Sequence, residues 1–216
     1  MGGGKNMKQS IAHELLEIGA LHLRPENPFT WTSGIRSPIY CDNRLILSFP
    51  KTRDLVLKGF VDLIREKYPE VNMISGCATA GIPAATLIAH VLNLPMTYVR
   101  GEAKKHGRQN QIEGLANPGQ KVVVIEDLLS TGKSSIACVK ALREAGCEVL
   151  GIVAIFSYDL PILREQLKAA KVEATALSNY DTLIQVAISR GIVARETEEK
   201  LFAFRANPQD PAWMEI

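Results

Sequence analysis

The sequence predicts an α/β fold: a doubly wound, mainly parallel central sheet flanked by helices, with a small N-terminal hood subdomain. Three observations predict it. Short apolar runs with strand character alternate with helical patterns from about residue 50 onward. The stretch before them is dense in Pro and Gly and cannot form a long helix. A length of 216 residues suits one compact domain with a small attached piece, and can bury a core without disulfides or metals. The expected division is a disordered or cloning-derived end at 1–6 and a single domain at 7–216. Within that domain the hood covers about 7–49 and the core about 50–216.

Each element has its own signal. Ser10 is placed to cap a first helix, with Ile11, Leu15 and Ile18 at helical spacing. Residues 21–43 hold Pro25, Pro28, Gly34 and Pro38, so short strands and turns are expected there. An amphipathic helix follows Pro50, with Val56, Phe60 and Leu63 on one face. A strand at 72–75 and a Gly-bounded loop at 76–81 lead into a helix at 82–92. A strand at 96–99 opens onto a polar stretch, 100–114, rich in cations and poor in apolar anchors. The most strand-like run is Val122-Val123-Val124-Ile125. A helix at 133–145 stops at Gly146, a natural C-cap. Residues 150–156 are apolar enough for a strand buried on both faces. In such sheets ligands bind beyond the carboxyl ends of the strands, so the loops leaving residues 75, 99 and 125 should converge.

Composition excludes several classes. The hydrophobic content is 46% and the net charge +2, which gives no basis for bulk nucleic-acid or membrane binding. Cys41, Cys77, Cys138 and Cys147 form no C-x-x-C pair and have no His at metal-ligand spacing, so reduced thiols in a cytoplasmic protein are expected. No apolar run is long enough to span a bilayer, and residues 1–6 lack the apolar core of a signal peptide. His13, His22 and His90 stand in no motif and are expected on the surface or against helices.

The chemistry is concentrated in Val122 through Ser134. An apolar strand delivers two adjacent carboxylates, Glu126 and Asp127. Leu128, Leu129, Ser130, Thr131 and Gly132 then lead into a helix at Lys133 and Ser134. Amides at a helix N-terminus and nearby hydroxyls suit a phosphate monoester. Glycine at 132 permits close approach of the backbone, and carboxylates one sugar away can accept from ribose hydroxyls. Gly132-Lys133-Ser134 ends like a nucleoside-triphosphate P-loop, but that motif needs glycine at 127, where this chain has Asp. A plain capped strand–turn–helix would not require the two acids.

This arrangement resembles the phosphoribosyl pyrophosphate signature of type I phosphoribosyltransferases. Residues 29–42, Phe-Thr-Trp-Thr-Ser-Gly-Ile-Arg-Ser-Pro-Ile-Tyr-Cys-Asp, resemble the hood of the orotate phosphoribosyltransferases. Residues 100–107, Arg-Gly-Glu-Ala-Lys-Lys-His-Gly, resemble their mobile catalytic loop. The resemblance runs from about residue 8 to 213.

It implies transfer of ribose 5-phosphate from phosphoribosyl pyrophosphate to orotate, giving orotidine 5′-monophosphate and pyrophosphate in pyrimidine biosynthesis. Arg100, Lys104 and His106 would hold pyrophosphate from across a homodimer with shared sites. Glu126 through Ser134 would hold the ribose and its phosphate. Ser130, Tyr40 and Cys41 would receive orotate, and residues 76–81 would form the pyrophosphate loop. Lys104, His106, Asp127 and Glu126 carry the catalytic expectation. Mg²⁺ is implied, held mainly by substrate oxygens and water. A non-proline cis peptide is implied at or beside Ala78–Thr79, and residues 100–114 are expected to order on anions. The chain departs from some members in having Thr32, Ala80 and Gly101 where they carry lysine. Tyr158-Asp159 also stands where some use an arginine near the base. A ligand-binding regulator built on the same signature, or a purine phosphoribosyltransferase, is the alternative. The first would usually add a nucleic-acid-binding element, and the second would lack this hood.

Overall fold

The structure, a computed structural model, describes residues 3–31, 33–101 and 111–216, with side chains from residue 7 onward. The chain opens with α1 (Gly3–Glu17), then β1 (Leu21–Leu23), β2 (Phe29–Thr30), β3 (Arg36–Ser37) and β4 (Ile39–Cys41). These strands pair antiparallel as β1 with β4 and β2 with β3, forming two small ribbons. A 3-10 turn over Asn43–Ser48 leads to α2 (Pro50–Lys67), with Pro50 in the first helical turn where a missing N–H costs nothing. There follow β5 (Met73–Cys77), α3 (Gly81–Leu92), β6 (Met96–Val99), β7 (Ile112–Glu113) and β8 (Lys121–Leu129). After them come α4 (Lys133–Glu144), β9 (Glu148–Ser157), α5 (Pro161–Ala170), β10 (Ala174–Asn179), α6 (Tyr180–Ser189) and α7 (Glu198–Ala206).

The six-stranded sheet has the order β10-β9-β8-β5-β6-β7, and β7 alone runs antiparallel to its neighbour. Five parallel strands match the expectation. Alternation along β8 explains the apolar run. Val123 and Ile125 join one core with α1, α2, α3, α6 and α7, while Val122 and Val124 join the other with α4 and α5. All four are fully buried, as a strand covered on both faces requires.

Three local expectations are corrected. Ser10 is not the N-cap of the first helix but lies inside it, because α1 already begins at Gly3. The early turns are held from afar: the Ser178 hydroxyl on β10 donates to the Lys8 carbonyl at 2.9 Å, and Ile11 and Leu15 are fully buried. The strand read at 122–125 runs on to Leu129, so the acid pair lies inside β8 rather than beyond it. Its pairing with β9 continues through Glu126–Ala154 to Leu129–Ser157. Finally, the polar stretch 100–114 closes on a strand. Ile112 is 6% exposed, and the Arg100 amide donates to the Gln111 carbonyl at 2.9 Å.

Candidate active site

The topology itself builds a crevice. From β5 the chain moves outward to β6. It then returns to place β8 on the other side of β5 and continues outward through β9 and β10. The strand order therefore reverses between β5 and β8, where loops leave their carboxyl ends in opposite directions. One wall is the 78–80 loop between β5 and α3, whose Ala78–Thr79 peptide is cis, as the resemblance implied. The Ala78 amide donates to Val99 at 3.0 Å and ties that loop to β6.

A close approach fixes this wall against β8. A Cβ placed on Gly81 would run into the Ile125 carbonyl oxygen, one residue before the acid pair. Gly81→Ala must push α3 off β8 and carry Thr79 with it. It is expected to cost about 1–3 kcal/mol in unfolding free energy, with a fall in turnover beyond that of an equally destabilised surface variant. Urea unfolding and steady-state kinetics on the same preparation check both.

The acids take different surroundings. Glu126 is 4% exposed. Its Oε1 accepts from the Asp127 amide at 3.0 Å, and its Oε2 accepts from the hydroxyls of Ser134 at 3.1 Å and Ser135 at 2.9 Å. It thus ties the strand end to the first turn of α4. Asp127 instead lines a second cavity, of about 570 Å³, with Asn43, Thr79, Ala80 and apolar residues of α2 and α3. Asn43 bridges to it: the amide Nδ2 donates to the Asp127 carbonyl at 2.7 Å, across 84 residues of sequence. Burial raises both carboxyls, Glu126 to about 7 and Asp127 to about 7, and hydrogen bonding between the two adds to the rise of Asp127.

Beyond the acids, a cavity of about 370 Å³ is lined by Cys77, Ala78, Arg100, Leu128 and the run from Ser130 to Ser134. Gly132 caps α4 at φ +79°, and a Cβ there would meet Leu163 Cδ1 at 2.7 Å. That left-handed turn brings the amides of the first turn of α4 to the cavity edge, where an anion is favoured. Thr131, Lys133 and Ser134 are exposed beside it, the Ser134 hydroxyl being engaged with Glu126. Arg100 meets Glu113 at 3.4 Å.

The N-terminal ribbons meet the turn after β9. Trp31 stacks on Tyr158, with ring centroids 5.5 Å apart and 11° between planes, and donates its indole N–H to the Ile39 carbonyl at 3.2 Å. Tyr40 is 43% exposed and Cys41 is half-buried.

The structure places Arg100, Leu128 and the residues from Ser130 to Ser134 around the smaller cavity and Asp127 in the larger one, while Glu126 is buried between the strand end and α4 and Leu129 is a buried packing residue. Lys104, His106 and Thr32 lie outside the described residues. Asn43 and Ser135 were missed by sequence reasoning, and Gly81 was read as the end of the pyrophosphate loop but not for its close approach to β8. Only Ser135 had a usable signal, a third hydroxyl beside the motif. His13, His22 and His90 are exposed, as expected. All four cysteines are free, and Cys138 and Cys77 meet at 3.1 Å. Among the described residues no cluster of three or more His, Cys, Asp or Glu could hold a metal.

Comparison with known proteins agrees with this geometry. Residues 53–182 match the phosphoribosyl transferase domain family. The chain is 57% identical over 208 residues to the orotate phosphoribosyltransferase of Bacillus cytotoxicus, covering 96% of this chain and 99% of that protein. Among solved structures it is similar to the orotate phosphoribosyltransferase of Aeropyrum pernix. That match has a TM-score of 0.74 and 27% identity, covering 85% of this chain and 99% of the other. It is also similar to Leishmania donovani UMP synthase, with a TM-score of 0.77 and 28% identity, covering 91% of this chain and 42% of the other.

Proposed function

Since this chain belongs to the orotate phosphoribosyltransferase family, we propose that its crevice joins orotate to the ribose 5-phosphate of phosphoribosyl pyrophosphate by the roles set out below. One observation carries the assignment of roles. A buried strand delivers Glu126 and Asp127 directly into a small-residue loop at the start of α4, beside the 78–80 loop.

The 5-phosphate sits against Ser130, Thr131, Gly132, Lys133 and Ser134, where amides and hydroxyls converge. Bond breaking at ribose C1 leaves positive charge on the sugar and negative charge on the departing pyrophosphate. Asp127 faces the growing cation, and its charge acts there without reorganisation. Glu126 has committed both oxygens to Asp127, Ser134 and Ser135, so it works chiefly by holding the acid and the phosphate loop in register. Tyr40, Cys41 and Ser130 receive orotate. Arg100, Lys104 and His106 answer the pyrophosphate, the last two reaching over from the second subunit of a homodimer with shared sites.

Mg²⁺ fits the donor set in a limited way. Asp127 is the carboxylate that lines a cavity, which suits an ion held mainly by substrate oxygens and water. When bound, the ion neutralises pyrophosphate charge. A cytoplasmic location accompanies this reading, and no helix of the described residues is long and apolar enough to cross a membrane.

The test is spectroscopic depletion of base with phosphoribosyl pyrophosphate and Mg²⁺, run in parallel on orotate, uracil, adenine and hypoxanthine. Orotate alone should be consumed rapidly, with pyrophosphate released in equal amount. Consumption of a purine, or tight binding without turnover, would overturn the assignment.

A further inference from the structure

Two buried thiols sit on the phosphate cavity, and the mechanism above uses neither side chain. Cys77 is the last residue of β5, directly before the 78–80 loop, and Cys138 lies in the second turn of α4. They stand 61 residues apart in sequence, yet the Cys138 thiol donates to the Cys77 sulfur at 3.1 Å. At 2% and 4% exposure both are enclosed, and they pack with Val124, Leu129 and Val139 in the core on that side of the sheet. Both also line the cavity of about 370 Å³ that holds the run from Ser130 to Ser134. The other cysteines stand apart from this pair: Cys41 is on β4, and the Cys147 thiol donates to the Asn117 carbonyl at 3.6 Å.

Two thiols in contact are one oxidation away from a covalent bond. Disulfide sulfurs lie about 2.05 Å apart, so this pair must close by about 1 Å. Hydrogen peroxide is little larger than water and can enter a cavity shaped for phosphate oxygens. One thiol takes an oxygen from the peroxide and becomes a sulfenic acid, while the other peroxide oxygen leaves as water. The second sulfur then attacks the first. The S–O bond breaks, and its oxygen leaves as a second water with the last thiol proton. Two thiols are oxidised and one peroxide is reduced to two waters. The hydrogen bond between the sulfurs, together with burial, holds the Cys77 thiol well above its ordinary range. The pair therefore rests as a dithiol and needs a sustained excess of oxidant.

The bond would join two walls of the cavity. Cys77 carries the 78–80 loop, and α4 carries the hydroxyls and amides of the phosphate loop. A close-packed core has little slack to absorb the closure, so one wall must shift. A misplacement of about 1 Å can cost about 10²-fold in rate.

We propose that Cys77 and Cys138 are an oxidative modification site on the phosphate cavity, where a peroxide forms a disulfide that deforms the cavity and stops turnover until a thiol reductant reopens it. Its effect on substrate rests on reading this crevice as the orotate phosphoribosyltransferase site.

The test treats the whole protein with excess hydrogen peroxide, alkylates the remaining thiols in denaturant and maps the peptides by mass. The expected product is a Cys77–Cys138 crosslink lighter by two hydrogens. Turnover of orotate should fall at least about tenfold and return on addition of dithiothreitol. Phosphoribosyl pyrophosphate with Mg²⁺ fills the cavity and should slow crosslinking severalfold. Cys138→Ala cannot form the bond, so its peroxide-treated turnover, relative to its own untreated sample, should be lost far less than that of wild type. Cys138→Ser repeats the comparison with a side chain of similar size. If both cysteines of wild type are recovered as alkylated thiols, or if the crosslink forms and turnover persists, the inference falls. Equal losses in wild type and the two variants would assign the damage to another residue and sink it as well. Crosslinking at an unchanged rate with ligand bound would show that the sulfurs do not face the substrate cavity. Because the crosslink is read by mass, it tests the pair even if wild type consumes no orotate, a result that would sink the functional reading instead.

Discussion

Replacing Asp127 with Asn is expected to lower kcat by about 10²–10³-fold, the usual cost of removing one group aimed at transition-state charge. The substitution keeps the side chain's shape and its ability to bond ribose hydroxyls, so the KM for phosphoribosyl pyrophosphate should change far less than kcat. That split identifies an interaction made chiefly in the transition state. The same variant tests the electrostatics of the unliganded site. Burial raises Asp127 to about 7, and it titrates together with its buried neighbour Glu126. A folded-state value above the unfolded one means that folding favours the protonated form. The associated stability is fully present below the unfolded carboxyl range of about 4 and is lost as pH rises through about 7. Asn carries no such penalty. The melting temperature of Asp127→Asn relative to wild type should therefore be higher at pH 8 than at pH 5, without ligand. An identical difference at the two pH values would show that Asp127 is not destabilised by burial.

The order of elements was legible because each core strand and helix announces itself within a few residues. The run from Val122 to Ile125 has no polar interruption, and Gly146 at φ +85° ends α4 where it was expected to. The strand's true end was not legible. Two acids read as a stop, yet pairing with β9 carries the ladder on to Leu129. Placing the acids inside a paired strand rather than on a loose loop is what limits their freedom. The Ser10 cap failed for a similar reason. The helix starts earlier, at Gly3, and its early turns are tied to β10 by the Ser178 hydroxyl on the Lys8 carbonyl, 170 residues away in sequence.

The site divides along the same line. The phosphate loop is contiguous in sequence, so its residue types and spacing declare their chemistry. The supports of that loop come from elsewhere in the chain. Asn43 reaches Asp127 across 84 residues, and Gly81 is demanded by a carbonyl on β8 that nothing near Gly81 in sequence reveals. Tyr158 read as the loss of an arginine. Only its stacking on Trp31 shows it as part of a built wall. What sequence alone misses is thus mostly the second layer, which holds the reacting groups in place.

The remaining prediction concerns the subunit that supplies the loop. Lys104 and His106 lie outside the described residues, and their proposed place is over Asp127 of a second copy. A two-fold axis makes the two sites equivalent, each built from two chains. Lys104→Ala should disable the loop, and Asp127→Asn should disable the sugar site, so each homodimer alone should be nearly inactive. In a mixed dimer one site pairs the intact loop of the Asp127→Asn chain with the intact Asp127 of the Lys104→Ala chain. The other site collects both defects. With free exchange at equal amounts about half the dimers are mixed, and each has one sound site. Activity should then recover to about a quarter of wild type, as two-fold symmetry requires. Exchange is verified independently by native mass spectrometry of a mass-tagged chain. If mixed dimers form in the expected proportion and activity stays at the level of the separate variants, Lys104 serves its own chain's site and the shared-site arrangement is wrong.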